Sequence, residues 1–409
     1  LLNKIWIAAI LTAFLYALFG YFFQNQLGVF DDMMNAIFNM SKLTVEISIG
    51  LIGILAFWLG ISKIAEQSGI IHKFAILLAP VFKRLMPEVP KGHESLGHVS
   101  MNLAANVMGL DNAATPLGLK AMKSLQTLNP VPDRATNAQI LFLVLNTSSV
   151  TLFPVTVFMY RAQSGAASPT DVFLPILFAT FASTLVGLLC VAWRQKLNLF
   201  DVKSIGCFAA LFVLIAVFVH YLLSLSIDAL AQFSAFWANI SILFFICLAV
   251  TWAYLKKVDV YQSFVDGAKE GFGTAVNIIP YLLAMLIAIG LIRSCGLLDG
   301  ILNGLKFVLT LFSMDIKFVD ALPTGLLKPL SGSGARAMMI ETMQTHGADS
   351  FAGRLSSIMQ GSTETTFYVL AVYFGAVGIK YTRHAVSCGL IADAAGLTAA
   401  IVVCYLFFG

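Results

Sequence analysis

The sequence predicts an all-α polytopic membrane protein of about nine transmembrane helices plus two re-entrant hairpins, arranged as an inverted repeat. Three observations predict it. Of 409 residues, 59% are hydrophobic and 11% charged, against roughly 25% charged in an ordinary soluble domain. Apolar runs long enough to cross a bilayer recur from end to end. Some of these runs are broken by polar residues, in the same order in both halves. Unpaired backbone N–H and C=O groups cost several kcal/mol each in hydrocarbon, so such breaks must be buried in protein or face a watery cavity.

Taken in order, Ile5 to Phe23 is free of charge, follows Lys4 and lacks a convincing small-residue cleavage site, so it reads as an uncleaved span. Asp31 and Asp32 read as a polar loop before the second span, Thr44 to Ile61. Lys63, Lys73, Lys83, Arg84 and Lys91 then accompany Ile70, Ile71, Phe74, Leu77, Leu78, Val81 and Phe82 at helical spacing, the pattern of an amphipathic helix on the cytoplasmic surface. Leu96 to Gln126 starts and finishes among basic residues and reads as the first re-entrant hairpin. Its tip is Asp111-Asn112-Ala113-Ala114-Thr115-Pro116, with Thr115 as N-cap and Pro116 as the first helical residue of the second arm. Ala138 to Tyr160 crosses outward, interrupted at Asn146-Thr147-Ser148-Ser149, and Val172 to Trp193 returns to Arg194, Lys196 and Lys203. Ile205 to Leu225 and Phe236 to Tyr254 read as connecting spans that end at Lys256 and Lys257.

From Asp266 the plan restarts. The span Thr274 to Ile292 ends in Arg293-Ser294-Cys295-Gly296, which parallels Glu66-Gln67-Ser68-Gly69. An amphipathic piece (Leu298 to Phe312), a hairpin with its tip at Ser331-Gly332-Ser333-Gly334, a helix (Phe351 to Phe374) interrupted from Gln360 to Thr365, and a last span (Val386 to Phe408) follow. This is an internal repeat of roughly 150 residues. Counting crossings between the two opening helices inverts the second copy relative to the first. The N-terminus is then cytoplasmic and the C-terminus outside, in a multi-pass protein of the bacterial cytoplasmic (inner) membrane. Lys306, Lys317 and Lys328 fall outside, against the positive-inside trend.

The net charge of +4 is spread along the chain rather than gathered on one face, so nucleic acid is not an expected partner. The six cysteines stand singly in apolar runs, without disulfide or metal spacing. His93 and His98 are five apart and leave a common helix face, unlike a zinc protease motif. No nucleophile and base pair stands out, no metal or cofactor is expected, and the chain reads as a protein other than an enzyme.

The candidate site lies at the breaks. Substrate-binding candidates are Asn106, Asp111, Asn112 and Thr115 on the first hairpin, and Asn146, Thr147, Ser148 and Ser149 in the first broken helix. Ser331, Ser333 and Arg336 on the second hairpin, with Gln360, Ser362, Thr363, Glu364 and Thr365 in the second broken helix, complete them. A carboxylate at membrane depth is costly, which singles out Asp111 and Glu364, with Glu46 and Asp393, as ion-coupling candidates for sodium or a proton. Glu341 is a further one, and Glu46, Glu341 and Asp393 read equally as charges at helix ends. The helix opening at Ser331 would attract an anion through its N-terminal N–H groups and dipole. The bland readings are turns and caps at Asp111, tight hairpin packing at Ser331, and an ion pair of Glu364 with Arg336 or Arg354. Asn102 and Asn106 share a helix face and either line a cavity or bond a neighbouring helix.

Gly109-Leu-Asp-Asn-Ala-Ala-Thr-Pro-Leu-Gly-Leu-Lys-Ala-Met-Lys resembles the signature of spore maturation protein A. Leu330-Ser-Gly-Ser-Gly-Ala-Arg and Gln360-Gly-Ser-Thr-Glu-Thr-Thr-Phe-Tyr resemble that of spore maturation protein B. The chain looks like a fusion of the two: residues 1–200 like the first with one gate repeat, 201–260 connecting helices, 261–409 like the second with an inverted gate repeat. Both families belong to the nucleoside-recognition or gate membrane proteins, which include concentrative nucleoside transporters. The resemblance implies a transport fold, without naming a solute. The expected function is secondary active transport of a small polar, anionic or zwitterionic, organic solute, by alternating access. The alternatives are a nucleoside transporter, an uncoupled channel, and a non-transporting scaffold in envelope or spore maturation. The expected partners are the solute and the lipid bilayer, with a homo-oligomer left open.

Overall fold

The computed structural model describes residues 2–90, 92–197 and 217–409; the side chains of Leu2, Asp111 and Asn112 lie outside the described residues. Among these residues every regular element is a helix, and the only extended pairing is an isolated parallel bridge between Arg134 and Tyr381. Six helices among the described residues are long and apolar enough to cross a membrane: Asn3–Phe23, Val29–Ser68, Phe173–Gln195, Ile227–Leu255, Val260–Ser294 and Ala385–Phe408. The chain is therefore an α-helical membrane protein. Most of the expected span from Ile205 to Leu225 lies outside the described residues.

The chain forms two compact units, each drawing on separate stretches of sequence. The first comprises Leu1–Lys63, Thr156–Pro169 and Tyr261–Gln360. It holds α1 (Leu2–Phe23), most of α2 (Val29–Ser68), α7 (Val155–Gln163), α10 (Val260–Ser294), α11 (Leu297–Leu311), α12 (Leu322–Leu327), α13 (Gly332–His346) and most of α14 (Phe351–Ser362). Asp31 and Asp32 are not in a loop, as their charge suggests, but in the first turn of the 40-residue α2, where the positive end of the helix dipole favours acids. Close approach of α2 and α10 rests on small residues: a Cβ on Gly271 would stand 2.6 Å from Ala56 Cα. Trp6 Nε1 donates to Ala284 O at 2.9 Å and ties α1 to α10.

The second unit comprises Ile64–Val155, Thr170–Val260 and Gly361–Gly409. It holds α3 (Ile70–Leu85), α4 (Glu94–Val107), α5 (Asp111–Gln126), α6 (Asn137–Thr147), α8 (Phe173–Gln195), α9 (Ile227–Leu255), α15 (Thr366–Gly375) and α16 (Ala385–Phe408). Its core packs Phe82, Val99, Met122, Phe142, Tyr373 and Cys388 among others. Basic residues gather at one end. Asp133 O accepts from the N–H of Lys380 (2.8 Å) and Tyr381 (2.9 Å), Arg383 Nη1 donates to Ala135 O (3.0 Å), and Gln195 Nε2 donates to Asn137 O (3.0 Å). The start of α6, the end of α8 and the segment between α15 and α16 thus share that end.

Candidate solute site at the helix breaks

The first break forms because polar side chains turn back on the helix that carries them. α6 opens with a capping box between Thr136 and Gln139. At its far end Asn146 Nδ2 donates to Phe142 O (2.8 Å), while Thr147 Oγ1 and Ser148 Oγ both donate to Val144 O (2.9 and 2.8 Å). These bonds occupy carbonyls of the last turn and offer the backbone an alternative to continuing the helix. Non-helical chain then runs from Ser148 to Pro154. In the second break α14 ends at Ser362, Thr363 to Glu364 is non-helical, and Thr365 caps α15 without a side-chain bond to its N–H groups.

The two breaks meet. Glu364 N–H donates to Thr147 O at 2.8 Å, so an orphan donor ahead of α15 satisfies an orphan acceptor at the end of α6. Small residues on α8 and α16 receive the unwound chain. A Cβ on Gly396 would stand 2.7 Å from Thr363 Cγ2, one on Gly389 would stand 2.9 Å from Thr366 Cγ2, and one on Gly187 would stand 3.3 Å from Ser148 Oγ. Thr184 Oγ1 donates to Ser148 O, and Thr366 Oγ1 donates to Asp393 Oδ2 at 2.7 Å. The α4–α5 pair adds its tip: Asn106 Nδ2 donates to Asn146 Oδ1 (2.7 Å), and Leu152 N–H donates to Val107 O (2.8 Å).

That tip turns earlier than its composition suggests. Gly109, at φ 67°, makes the turn, α5 starts at Asp111, and Pro116 lies inside α5. Thr115 is therefore a helical residue and not an N-cap. Only a residue without a side chain suits Gly109, since a Cβ would stand 2.5 Å from Phe153 O. Asn102 Nδ2, donating to Ala114 O (2.8 Å), and the His98 ring, 3.0 Å from Ser124 Oγ, clamp α4 to α5. His93 caps α4 by accepting from Ser95 N–H.

Asn146, Thr147, Ser148, Ser149, Ser362, Thr363, Thr365 and Asp393 are all buried in or against this arrangement. Ser149 Oγ and Thr363 Oγ1 are buried without a hydrogen-bond partner among the described residues. Glu364 is exposed. Arg354 faces Asp349, and the Arg336 guanidinium lies 5.5 Å from the Tyr160 ring centroid. The Asp111 and Asn112 side chains fall outside the described residues.

The remaining candidates belong to the first unit. Ser331 is the N-cap of α13, accepting from Gly334 N–H at 3.0 Å, and its hydroxyl lies 3.2 Å from Ser333 Oγ. Gln360 Oε1 and Arg336 Nε are buried without a partner among the described residues. Glu341 is buried against Arg293, which also pairs with Asp299 at 3.1 Å. Glu46 is exposed in mid-helix, 3.7 Å from Lys42, and is not at a helix end. Sequence reasoning missed Gly187, Gly389 and Gly396 as the surface that holds the breaks. Gly389, Asp393 and Gly396 fall at i, i+4 and i+7, one face of a helix, which is the signal that marks them.

A family model described as Gate, nucleoside recognition, matches the chain twice, at residues 48–163 and 275–380, more than half its length in all. Each match contains one of the breaks. Spore maturation protein B of Bacillus subtilis (strain 168) is 48% identical over 155 residues, 38% of this chain and 85% of that protein. Spore maturation protein A of the same organism is 38% identical over 183 residues, 45% of this chain and 90% of that protein.

Proposed function

The chain belongs to the Gate nucleoside-recognition family, and from that premise we propose that it is a secondary active transporter of a small polar organic solute. The observation that carries the reading is the junction of Glu364 N–H with Thr147 O, where two unwound segments distant in sequence meet. Around it the Ser149 and Thr363 hydroxyls are buried without partners among the described residues, and Glu364 is exposed. Buried polar groups ordinarily have partners, and a bound solute supplies them. A carboxylate facing lipid is costly, so an exposed one among apolar helices belongs in a water-filled cavity, where it takes up a proton or sodium ion.

Helix lengths support a location at mid-depth. α6 has 11 residues and α15 has 10, each reaching from the basic end to the break. At 1.5 Å per residue that is about 15 Å, half of a hydrocarbon core of roughly 30 Å. The basic end is cytoplasmic by the positive-inside rule. Nine crossings, two re-entrant hairpins and an inverted repeat in an inner membrane complete this reading, with the two matched relatives supporting a chain made of two joined spore-maturation-like parts.

The solute is anionic or zwitterionic, and the family description makes nucleosides part of the first panel to test. The experiment is uptake into proteoliposomes under an imposed proton or sodium gradient. Accumulation that collapses in Glu364→Gln, with the fold intact, supports coupled transport through this site. Flux indifferent to the gradient points to an uncoupled channel. The names of the relatives favour a second reading, a non-transporting scaffold in envelope or spore maturation, which predicts folded protein without flux of any solute.

A further inference from the structure

Two clefts at the basic end of the second unit share one wall. The larger, about 540 Å³, is lined by residues that include Glu88, Asn129, Arg134, Asn137 and Arg383. The smaller, about 340 Å³, is lined by Arg84, Glu88, Asn137 and Lys196 among others. The wall is a hydrogen bond of 2.6 Å from Asn137 Nδ2 to Glu88 Oε1. Each cleft thus has two cationic side chains, and both share a single carboxylate that already accepts a bond.

We propose that this pair of clefts binds an anionic ligand with two phosphate groups or a diphosphate, one cationic pair serving each phosphate. The volumes suit a small molecule or a lipid headgroup. Arg134 and Arg383 offer planar guanidinium forks that match phosphate oxygens in pairs. Arg383 is held at φ 52°, with its Nη1 donating to Ala135 O. At the start of α6 the capping box occupies the N–H groups of Thr136 and Gln139, and the cationic side chains carry the recognition. Asn137 Oδ1 is buried without a partner among the described residues and accepts a ligand hydroxyl. The clefts stand the length of α6 away from the helix breaks, so this site is separate from the solute site.

A free phosphorylated metabolite and a phospholipid headgroup share this chemistry, and two arms separate them. In the first, inorganic pyrophosphate is titrated into the purified full chain in uncharged detergent, with ionic strength matched by sodium chloride. The expected result is saturable binding and a raised thermal midpoint. Arg134→Gln weakens the binding by about tenfold, the effect of losing a charge-assisted hydrogen bond. Glu88→Gln, which keeps an acceptor for Asn137 but removes the negative charge, tightens it. In the second arm, native mass spectrometry follows lipid carried from nanodiscs of phosphatidylcholine with cardiolipin, whose headgroup carries two phosphates. Cardiolipin retained by the wild type and lost on Arg84→Gln with Arg134→Gln assigns the site to a headgroup. No saturable pyrophosphate binding together with no selective lipid retention overturns the proposal, as does an affinity unchanged in both Arg134→Gln and Glu88→Gln.

Discussion

The backbone N–H of Glu364 is bonded to the carbonyl of Thr147 at 2.8 Å, across more than two hundred residues of sequence. Because the bond uses the main chain, the side chain of Glu364 is not needed to make it. Glu364→Gln should therefore keep the fold and lose gradient-driven uptake. Glu364→Pro removes the donor and leaves a buried acceptor, at a cost of about 1–3 kcal/mol. The check is a thermal midpoint in detergent beside the uptake assay. A Gln variant as unstable as the Pro variant would show that the carboxylate holds the fold.

Gly396 gives a packing test of the same junction. A methyl there would meet Thr363 Cγ2 at 2.7 Å and Ser183 Cβ at 3.1 Å, with Ser362 O at 3.3 Å. Gly396→Ala should destabilise the protein by about 1–3 kcal/mol through overpacking. Thr363→Ser removes the methyl that clashes, so the double variant should recover part of the loss, a coupling expected of residues in contact. Thermal midpoints of the four proteins measure it, and strictly additive effects would place Thr363 elsewhere.

The fold class and both helix breaks were legible because hydropathy and polar interruptions are local properties. Asn146 to Ser149 and Ser362 to Thr365 are polar clusters inside apolar runs, and no membrane helix carries such clusters without a reason. The exact turn at the first hairpin was not legible. Thr115-Pro116 has the better local cap chemistry, but Gly109 sits where Phe153 O approaches, a tertiary contact that outweighs propensity. Asp31 and Asp32 were misleading because charge suggests a loop while the helix dipole accepts acids in a first turn. The junction of Thr147 with Glu364 was beyond any local signal, since neither residue's neighbourhood in sequence refers to the other.

Arg161 is a second case of a role set by distant residues. Its side chain is fully buried, with Nη1 on Ala348 O at 2.8 Å and Nη2 on Asp349 Oδ1 at 3.1 Å. Asp349 Oδ2 also accepts from Ala167 N–H at 2.8 Å, so one carboxylate joins the loop after α7 to the loop after α13. Asp349→Asn removes a negative charge 3.1 Å from a buried guanidinium. The cost should be about 2–3 kcal/mol, below that of a fully buried pair because Asp349 is about a third exposed. Arg161→Met, which removes the buried charge, should cost less than Asp349→Asn. The reverse order in thermal midpoints would mean that packing of the Arg161 stem outweighs its charge.

His384, just ahead of α16, ties stability to pH. Burial first, then the charges of Arg383 and Arg194, hold its pKa below the ordinary 6.5. Its Nε2 lies 3.2 Å from Gln195 Nε2, which also donates to Asn137 O at 3.0 Å, so the neutral ring accepts where a protonated ring would oppose a donor. A base with a lowered folded pKa binds its proton more readily in the unfolded chain, and stability then falls as pH falls. The contribution of His384 is complete above about pH 6.5 and is lost as pH drops from there through the folded pKa. Thermal midpoints from about pH 8 down to about pH 5.5 should fall more steeply for the wild type than for His384→Gln, which has nothing to titrate at this position. Parallel curves would assign the acid sensitivity to other groups, because a side chain that does not change its protonation between the two states cannot bend the difference between them.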